Sequence, residues 1–124
     1  MTLEELYASI GGDYSRALKV LRVEKLVNKH IQKLPGNPIF PALVAAGETM
    51  DATALFENAH AMKGISANLG LTRIMELSTE LADEFRPEST RKLSDEEVRE
   101  KVKEIDTLFQ HTSAEIKNYA ASLQ

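Results

Sequence analysis

The sequence predicts an all-α protein, an antiparallel four-helix bundle with additional short helices at its N-terminal end. Apolar residues recur at spacings of three and four along the whole 124-residue chain, which is the period of an amphipathic helix. No stretch alternates apolar and polar residues convincingly, as a half-exposed strand would. Glycine and proline pairs divide the chain into segments of helical length, and no second domain or internal repeat is evident. We therefore expect a single helical domain over residues 1–124.

Short helices are predicted before the bundle. Thr2 and Glu5 have the spacing of a capping box at the start of the first helix, and Gly11-Gly12 ends it. Asp13 is a suitable N-cap for the second helix. A third helix is predicted from about Val23 to Leu34, because a Pro-Gly pair follows it.

The later helices have clearer boundaries. Asn37 and Pro38 suit the N-cap and first position of one helix, and Asp51 is a plausible N-cap for the next, which should run to about Leu69. Gly70 ends that helix, so the following one should fold back antiparallel to it. The last helix opens with a capping box, Ser94 with Glu97. Its apolar seam in a 4-3 pattern consists of Val98, Val102, Ile105, Phe109, Thr112, Ile116, Tyr119 and Leu123.

The helix predicted over residues 51–69 carries two neighbouring stripes at helical spacing. The stripe expected to face the core consists of Leu55, Ala59, Met62, Ser66 and Leu69, and the Ser66 hydroxyl is expected to bond back to the Met62 carbonyl. The stripe expected to be partly exposed consists of Thr53, Phe56, His60, Lys63, Gly64 and Ala67.

Three residues of the exposed stripe form a chemically notable group. His60, Lys63 and Gly64 lie at i, i+3 and i+4, so a helix places them on one face. An imidazole is a competent nucleophile, and a nearby ammonium suits an incoming phosphoryl group. Glycine costs roughly 1 kcal/mol against alanine in mid-helix, so Gly64 requires a reason, and close approach of another molecule is one.

Composition excludes several classes of function. The absence of cysteine excludes disulfides, thiol chemistry and thiolate metal sites. A net charge of −4 argues against nucleic acid as a partner, and no apolar run approaches the roughly 20 residues of a membrane span. The acidic, amphipathic N-terminus is unlike a secretory signal, so a cytoplasmic location is expected.

The run Ala59-His60-x-x-Lys63-Gly64-x-x-x-x-Leu69-Gly70 resembles the signature of histidine-containing phosphotransfer (HPt) domains. The resemblance extends to Leu55 and Phe56 before the run and to the leucine-rich segment after it. Gly11-Gly12-Asp13-Tyr14 is similar to stand-alone bacterial members. The resemblance covers most of the chain and is weaker beyond Pro87.

The resemblance implies a phosphorelay intermediate. His60 would accept a phosphoryl group from an aspartyl phosphate on a response-regulator receiver domain and pass it to another receiver. Lys63 would be the phosphate-side cation, and Gly64 would let the receiver reach the ring. The partners implied are receiver domains and, as a further candidate, a hybrid histidine kinase. The protein would be a phosphocarrier without turnover of its own and most simply a monomer, with no intrinsic cofactor because Mg²⁺ would come with the receiver.

Several residues have a second interpretation. Gly64 suits close helix packing as well as partner docking. Phe56 suits the core as well as an apolar docking patch with Ala67. Neither Glu80 nor Glu84 stands out as the residue that orients the second His60 nitrogen, although both could reach it. His30 is expected to be a packed histidine, and His111 to pair with Glu115.

Two other functions compete with phosphotransfer. A helical adaptor or inhibitor could dock a receiver or a kinase without carrying phosphate, although it would not need both His60 and Lys63. A metal-binding four-helix bundle enzyme requires inward-facing Glu-x-x-His pairs. Glu57 and His60 have that spacing, but no second copy exists, so no metal site is predicted.

Overall fold

Seven α-helices, a single 3-10 turn and no strand make up the computed structural model, which describes residues 1–124. The prediction of an all-α helical bundle is confirmed. None of the seven helices combines the length and the apolar character needed to cross a membrane. The helices are α1 (Leu3–Ile10), α2 (Tyr14–Leu21), α3 (Glu24–Lys33), α4 (Ile39–Thr49), α5 (Ala52–Leu69), α6 (Thr72–Phe85) and α7 (Asp95–Ser122), with the 3-10 turn at Leu34–Gly36.

The bundle is formed by α4, α5, α6 and α7, each of which packs against two of the others in a closed ring. Short connections at Met50-Asp51 and Gly70-Leu71 make α4, α5 and α6 successive antiparallel neighbours. The shorter helices lie outside this ring, where α1 contacts α7 and α2 contacts α5. One continuous core of 26 buried apolar residues joins both sets.

Most predicted helix ends are correct to within one residue. Both capping boxes form, and the Asp51 carboxylate accepts a hydrogen bond from the Ala54 N–H at 3.1 Å. At the start of α4, the Asn37 side chain accepts a hydrogen bond from the Ile39 N–H at 3.0 Å, as a residue that caps the helix would, and the helix begins at Ile39, one residue after the predicted first position. The predicted third helix, from about Val23 to Leu34, agrees with α3 to within one residue at each end. Pro35 has no N–H to extend the α-helical ladder, so the chain tightens into the 3-10 turn.

The buried faces follow the predicted stripes. All five residues of the predicted core stripe of α5 are buried, as is the predicted α7 seam up to Tyr119. Leu123 is wrongly placed in that seam, since α7 ends at Ser122 and the Leu123 side chain is 52% exposed.

The first two helices are tied to the C-terminal end of α5. The Tyr7 hydroxyl donates a hydrogen bond to the Leu69 carbonyl at 2.7 Å, and the Arg16 Nε donates one to the Ala67 carbonyl at 2.9 Å. The Asp13 N–H binds the Gly70 carbonyl at 2.7 Å. Gly70 has φ of +68°, and a Cβ there would lie 2.2 Å from the Asp13 carbonyl oxygen. These contacts satisfy carbonyls that a helix end leaves without partners, and they hold the end of α5 in place.

Candidate functional site

His60 lies in the middle of α5 with its side chain exposed, while Ala59 and Met62 beside it are fully buried. The inner face of α5 is therefore fixed in the core directly beneath the accessible imidazole. The His60 ring stacks on the Phe56 ring, with 5.6 Å between ring centroids and 21° between ring planes. Of the three histidines, only His111 forms a side-chain hydrogen bond, so both His60 nitrogens are without a partner in the chain.

Lys63 is half-buried one turn after His60 and forms no salt bridge. The ammonium group is therefore not neutralised by a carboxylate of the same chain. An unpaired cation beside a nucleophilic nitrogen is an arrangement that can offset the charge of a phosphoryl group.

Gly64 is exposed, and a Cβ added to it would meet no atom within 4 Å. The interpretation of Gly64 as a helix-packing residue is therefore wrong, since no neighbouring helix comes close. Gly64 is also without a positive φ, so no turn of the backbone requires it. Nothing within the chain explains a glycine here.

The predicted exposed stripe is confirmed as a surface of α5. Thr53, His60 and Gly64 are exposed, whereas Phe56, Lys63 and Ala67 are half-buried. Phe56 packs against the core, as the first of its two interpretations predicts, and it also stacks on the His60 ring. Its role in an apolar docking patch with Ala67 stays a prediction.

Neither candidate carboxylate on α6 orients the second His60 nitrogen. Glu80 accepts a hydrogen bond from the Lys101 ammonium at 2.6 Å. Glu84 is buried and accepts hydrogen bonds from the Leu93 N–H at 2.7 Å, the Arg91 Nε at 2.9 Å and the Lys92 N–H at 3.0 Å. Burial by itself would raise the pKa of the Glu84 carboxyl, but these hydrogen bonds hold it below its usual value.

Three smaller predictions are wrong. The Ser66 hydroxyl is buried without a hydrogen-bond partner, so it does not bond back to Met62. His30 is exposed and not packed, because α3 lies at the edge of the fold with only one face against it. His111 contacts the Ser9 carbonyl of α1 at 3.1 Å and not Glu115, since α1 packs directly against α7.

The described residues hold no group of three or more histidine, cysteine or carboxylate side chains that could bind a metal. Glu57 and His60 are both exposed, whereas a metal-binding bundle enzyme directs its Glu-x-x-His pairs inward. The geometry needed for the metal-enzyme alternative is absent at this pair.

The sequence model of the Hpt domain family matches residues 22–120. The chain belongs to the Hpt domain family. Hpt domains perform histidine phosphotransfer in two-component phosphorelays, where they act as phosphocarriers and interact with receiver domains and kinases. Neither the curated proteins nor the solved structures gave a significant match.

The matched range of this Hpt domain contains α4, α5 with its exposed histidine, α6 and all but the last two residues of α7, while α1 and α2 precede it. Two contacts near the site were not anticipated. The Phe56–His60 stack could have been found from its i, i+4 spacing. The Arg16 contact to Ala67 joins residues 51 positions apart, so no local sequence pattern predicts it.

Proposed function

We propose that this Hpt domain is a phosphorelay intermediate in which His60 accepts a phosphoryl group from a receiver aspartate and transfers it to a second receiver. The observation that carries the proposal is the combination on one helix face of an accessible imidazole, an unpaired Lys63 ammonium and the open backbone at Gly64. The imidazole nitrogens have no hydrogen-bond partner within the chain, the ammonium forms no salt bridge, and no atom covers Gly64, as expected for a site completed by another protein.

The chemistry at His60 follows from the imidazole. The lone pair of a ring nitrogen, which we assign to Nε2 because it projects farthest from the helix, forms a bond to phosphorus. The bond between phosphorus and the aspartyl oxygen breaks, and the aspartate leaves as a carboxylate. The other ring nitrogen keeps its proton. Lys63 offsets part of the negative charge that spreads over the three phosphoryl oxygens in the transition state.

The receiver would dock on a patch made by Gly64, Ala67 and Phe56. A bare backbone at Gly64 lets a partner surface approach within contact distance of the helix, one turn from His60. Ala67 adds a small apolar surface at the next turn, beside the Arg16 guanidinium. Phe56 flanks the imidazole on the other side.

The receiver would also supply the metal ion. Mg²⁺ would be bound by the receiver, and this chain would add the nucleophile and one cation. Because the phosphoryl group passes on to a second receiver, the protein would act as a carrier with no turnover of its own. We propose in addition that it is monomeric and cytoplasmic.

The test uses the full chain and the receiver domains encoded in its genome, each phosphorylated with ³²P by its kinase. We expect at least one receiver to pass label to the protein as an acid-labile, alkali-stable adduct, as a phosphohistidine requires. The variant His60→Gln should accept none and still bind that receiver, and His30→Gln is the matched control. Equal labelling of His60→Gln and the unaltered protein would contradict the proposal. Binding of receivers without any labelling would favour the adaptor alternative.

A further inference from the structure

We propose that Phe56 is a positioning residue that holds the His60 imidazole in the orientation needed for attack on phosphorus. This inference rests on the proposed function of His60 and adds a role for Phe56 beyond partner docking. Its basis is the stack between the two rings, at 5.6 Å between centroids and 21° between planes.

An exposed histidine on a helix can occupy more than one rotamer, and in-line transfer requires one of them. Hydrogen bonds to the ring nitrogen that is not attacking are the usual means of fixing an imidazole. His60 has no such bond within the chain. The two candidate carboxylates on α6 have other partners, since Glu80 binds the Lys101 ammonium and Glu84 binds backbone N–H groups of the connector before α7.

Phe56 is suited to replace those hydrogen bonds. It lies one turn before His60 on α5, and its half-buried ring packs against the core, so its own position is fixed by packing. Stacking engages the face of the imidazole. The nitrogen lone pair lies in the ring plane, so a face contact fixes the ring while both nitrogens remain free for phosphorus and for a proton.

The experiment must separate positioning from docking, and a small-molecule donor does this because no receiver is present. With phosphoramidate, a His60 nitrogen lone pair forms the bond to phosphorus while the phosphorus–nitrogen bond of the donor breaks, and the donor nitrogen leaves as ammonia. We would measure this rate for the full chain and for Phe56→Leu, Phe56→Tyr and Ile65→Ala. Ile65 is half-buried elsewhere on α5, so its variant controls for loss of helix stability.

The account predicts that Phe56→Leu slows phosphorylation by phosphoramidate about two- to tenfold, the range that an aromatic pair contact would supply. Phe56→Tyr keeps the stack and should restore the rate, and Ile65→Ala should leave it unchanged. Proton NMR gives a second measurement, because the His60 ring protons should lose their ring-current shift in Phe56→Leu only.

Two results would overturn the positioning role. One is a wild-type rate with phosphoramidate for Phe56→Leu, even if transfer from a receiver is slow, since Phe56 would then act in docking only. The other is equal slowing in Phe56→Leu and Phe56→Tyr. Both leave His60 as the phosphoacceptor, so they differ from failure of the proposed function, in which His60→Gln still accepts label.

Discussion

The connector between α6 and α7 and the exposed face of α5 both carry polar and charged side chains, and they differ in where those side chains find partners. The polar groups of the connector bind the chain itself, because the Arg91 side chain and two backbone N–H groups donate hydrogen bonds to the buried Glu84 carboxylate at the end of α6. On α5, His60 has no hydrogen bond and Lys63 no salt bridge. Polar groups that are satisfied within the chain stabilise the fold. Groups left without partners on a rigid helix are available to another molecule.

Two glycines within helices differ in the same way. Gly47 of α4 is buried, and a Cβ there would lie 3.2 Å from the Val102 side chain of α7. Gly64 of α5 is exposed with nothing within 4 Å. Neither has a positive φ. Gly47 is therefore explained by close packing within the bundle, whereas Gly64 requires an explanation outside it.

The largest expected effect comes from Gly64→Leu. The new side chain would project into open space and has a higher helix propensity than glycine, so the fold should lose no stability and should gain about 0.5–1 kcal/mol. Transfer from a phosphorylated receiver should fall about 100-fold, the cost of displacing a reacting group by about 1 Å. Rapid-quench measurement of labelled protein gives the rate. Ala114→Leu, at an exposed position of α7, is the control. Unaltered transfer in Gly64→Leu would remove the distinction between the two glycines.

The reverse pattern is expected for Glu84→Gln, which should lower stability and leave transfer unchanged. Loss of charged hydrogen bonds to Arg91 and to the backbone should cost about 2 kcal/mol at pH 7. Urea unfolding measures this, with Glu80→Gln as a control that alters a more exposed ion pair and should cost about 0.5 kcal/mol or less.

The pH dependence of Glu84→Gln has a definite sign. In the folded protein the pKa of the Glu84 carboxyl lies below the unfolded value of about 4.5. The ionised carboxylate therefore stabilises the fold fully above that pH. This stabilisation is lost as the pH falls through the lower pKa of the folded protein. The difference between the variant and the unaltered protein should therefore shrink on acidification. A difference that stays constant between pH 7 and pH 3 would contradict this account.

Lys63→Gln should have an intermediate effect on transfer. Removing one cation from the phosphoryl site should slow phosphorylation about tenfold, whereas the absence of a salt bridge predicts little change in unfolding free energy. Lys103→Gln removes an exposed lysine of α7 and provides the control. If Lys63→Gln and Lys103→Gln slowed transfer equally, general surface charge and not the position of Lys63 would be responsible.

The smallest effect is expected from alanine at the two glycines. Gly64→Ala should stabilise the fold by about 0.5–1 kcal/mol, the helix-propensity gain at an open position. Gly47→Ala should gain less or lose stability, because the Val102 side chain must shift to admit a methyl group. Thermal unfolding of the two variants compares them directly. An equal gain at both positions would show that Val102 adjusts without cost.

The structure agrees with the sequence-based predictions where local rules decide it. The Asp51 cap, the Gly70 end and the two stripes of α5 follow from periodicity and capping within one segment, and these place His60, Lys63 and Gly64 on one surface. The contacts that were not predicted form where distant parts of the chain meet. The partners of Glu84 and the Arg16 contact to Ala67 depend on which loop or helix folds over them.

The same reasoning explains the errors at His30 and Ser66. Amphipathic spacing indicates which face of a helix is apolar, but not how much of that face another helix covers. His30 lies on α3, whose packing partners cover only part of it, and its ring remains exposed. Ser66 lies on a face that is fully covered, and the packing leaves its hydroxyl without a partner.

The measurement that tests the central claim most directly is onward transfer from the purified phosphoprotein. The protein labelled on His60 is separated from its donor and mixed with a second, unphosphorylated receiver domain and Mg²⁺. We predict that the label leaves the protein and appears on the receiver aspartate as an alkali-labile adduct, faster than it is released as inorganic phosphate. Label that stays on the protein with every receiver tested, or is lost only by hydrolysis, would contradict a carrier role for His60.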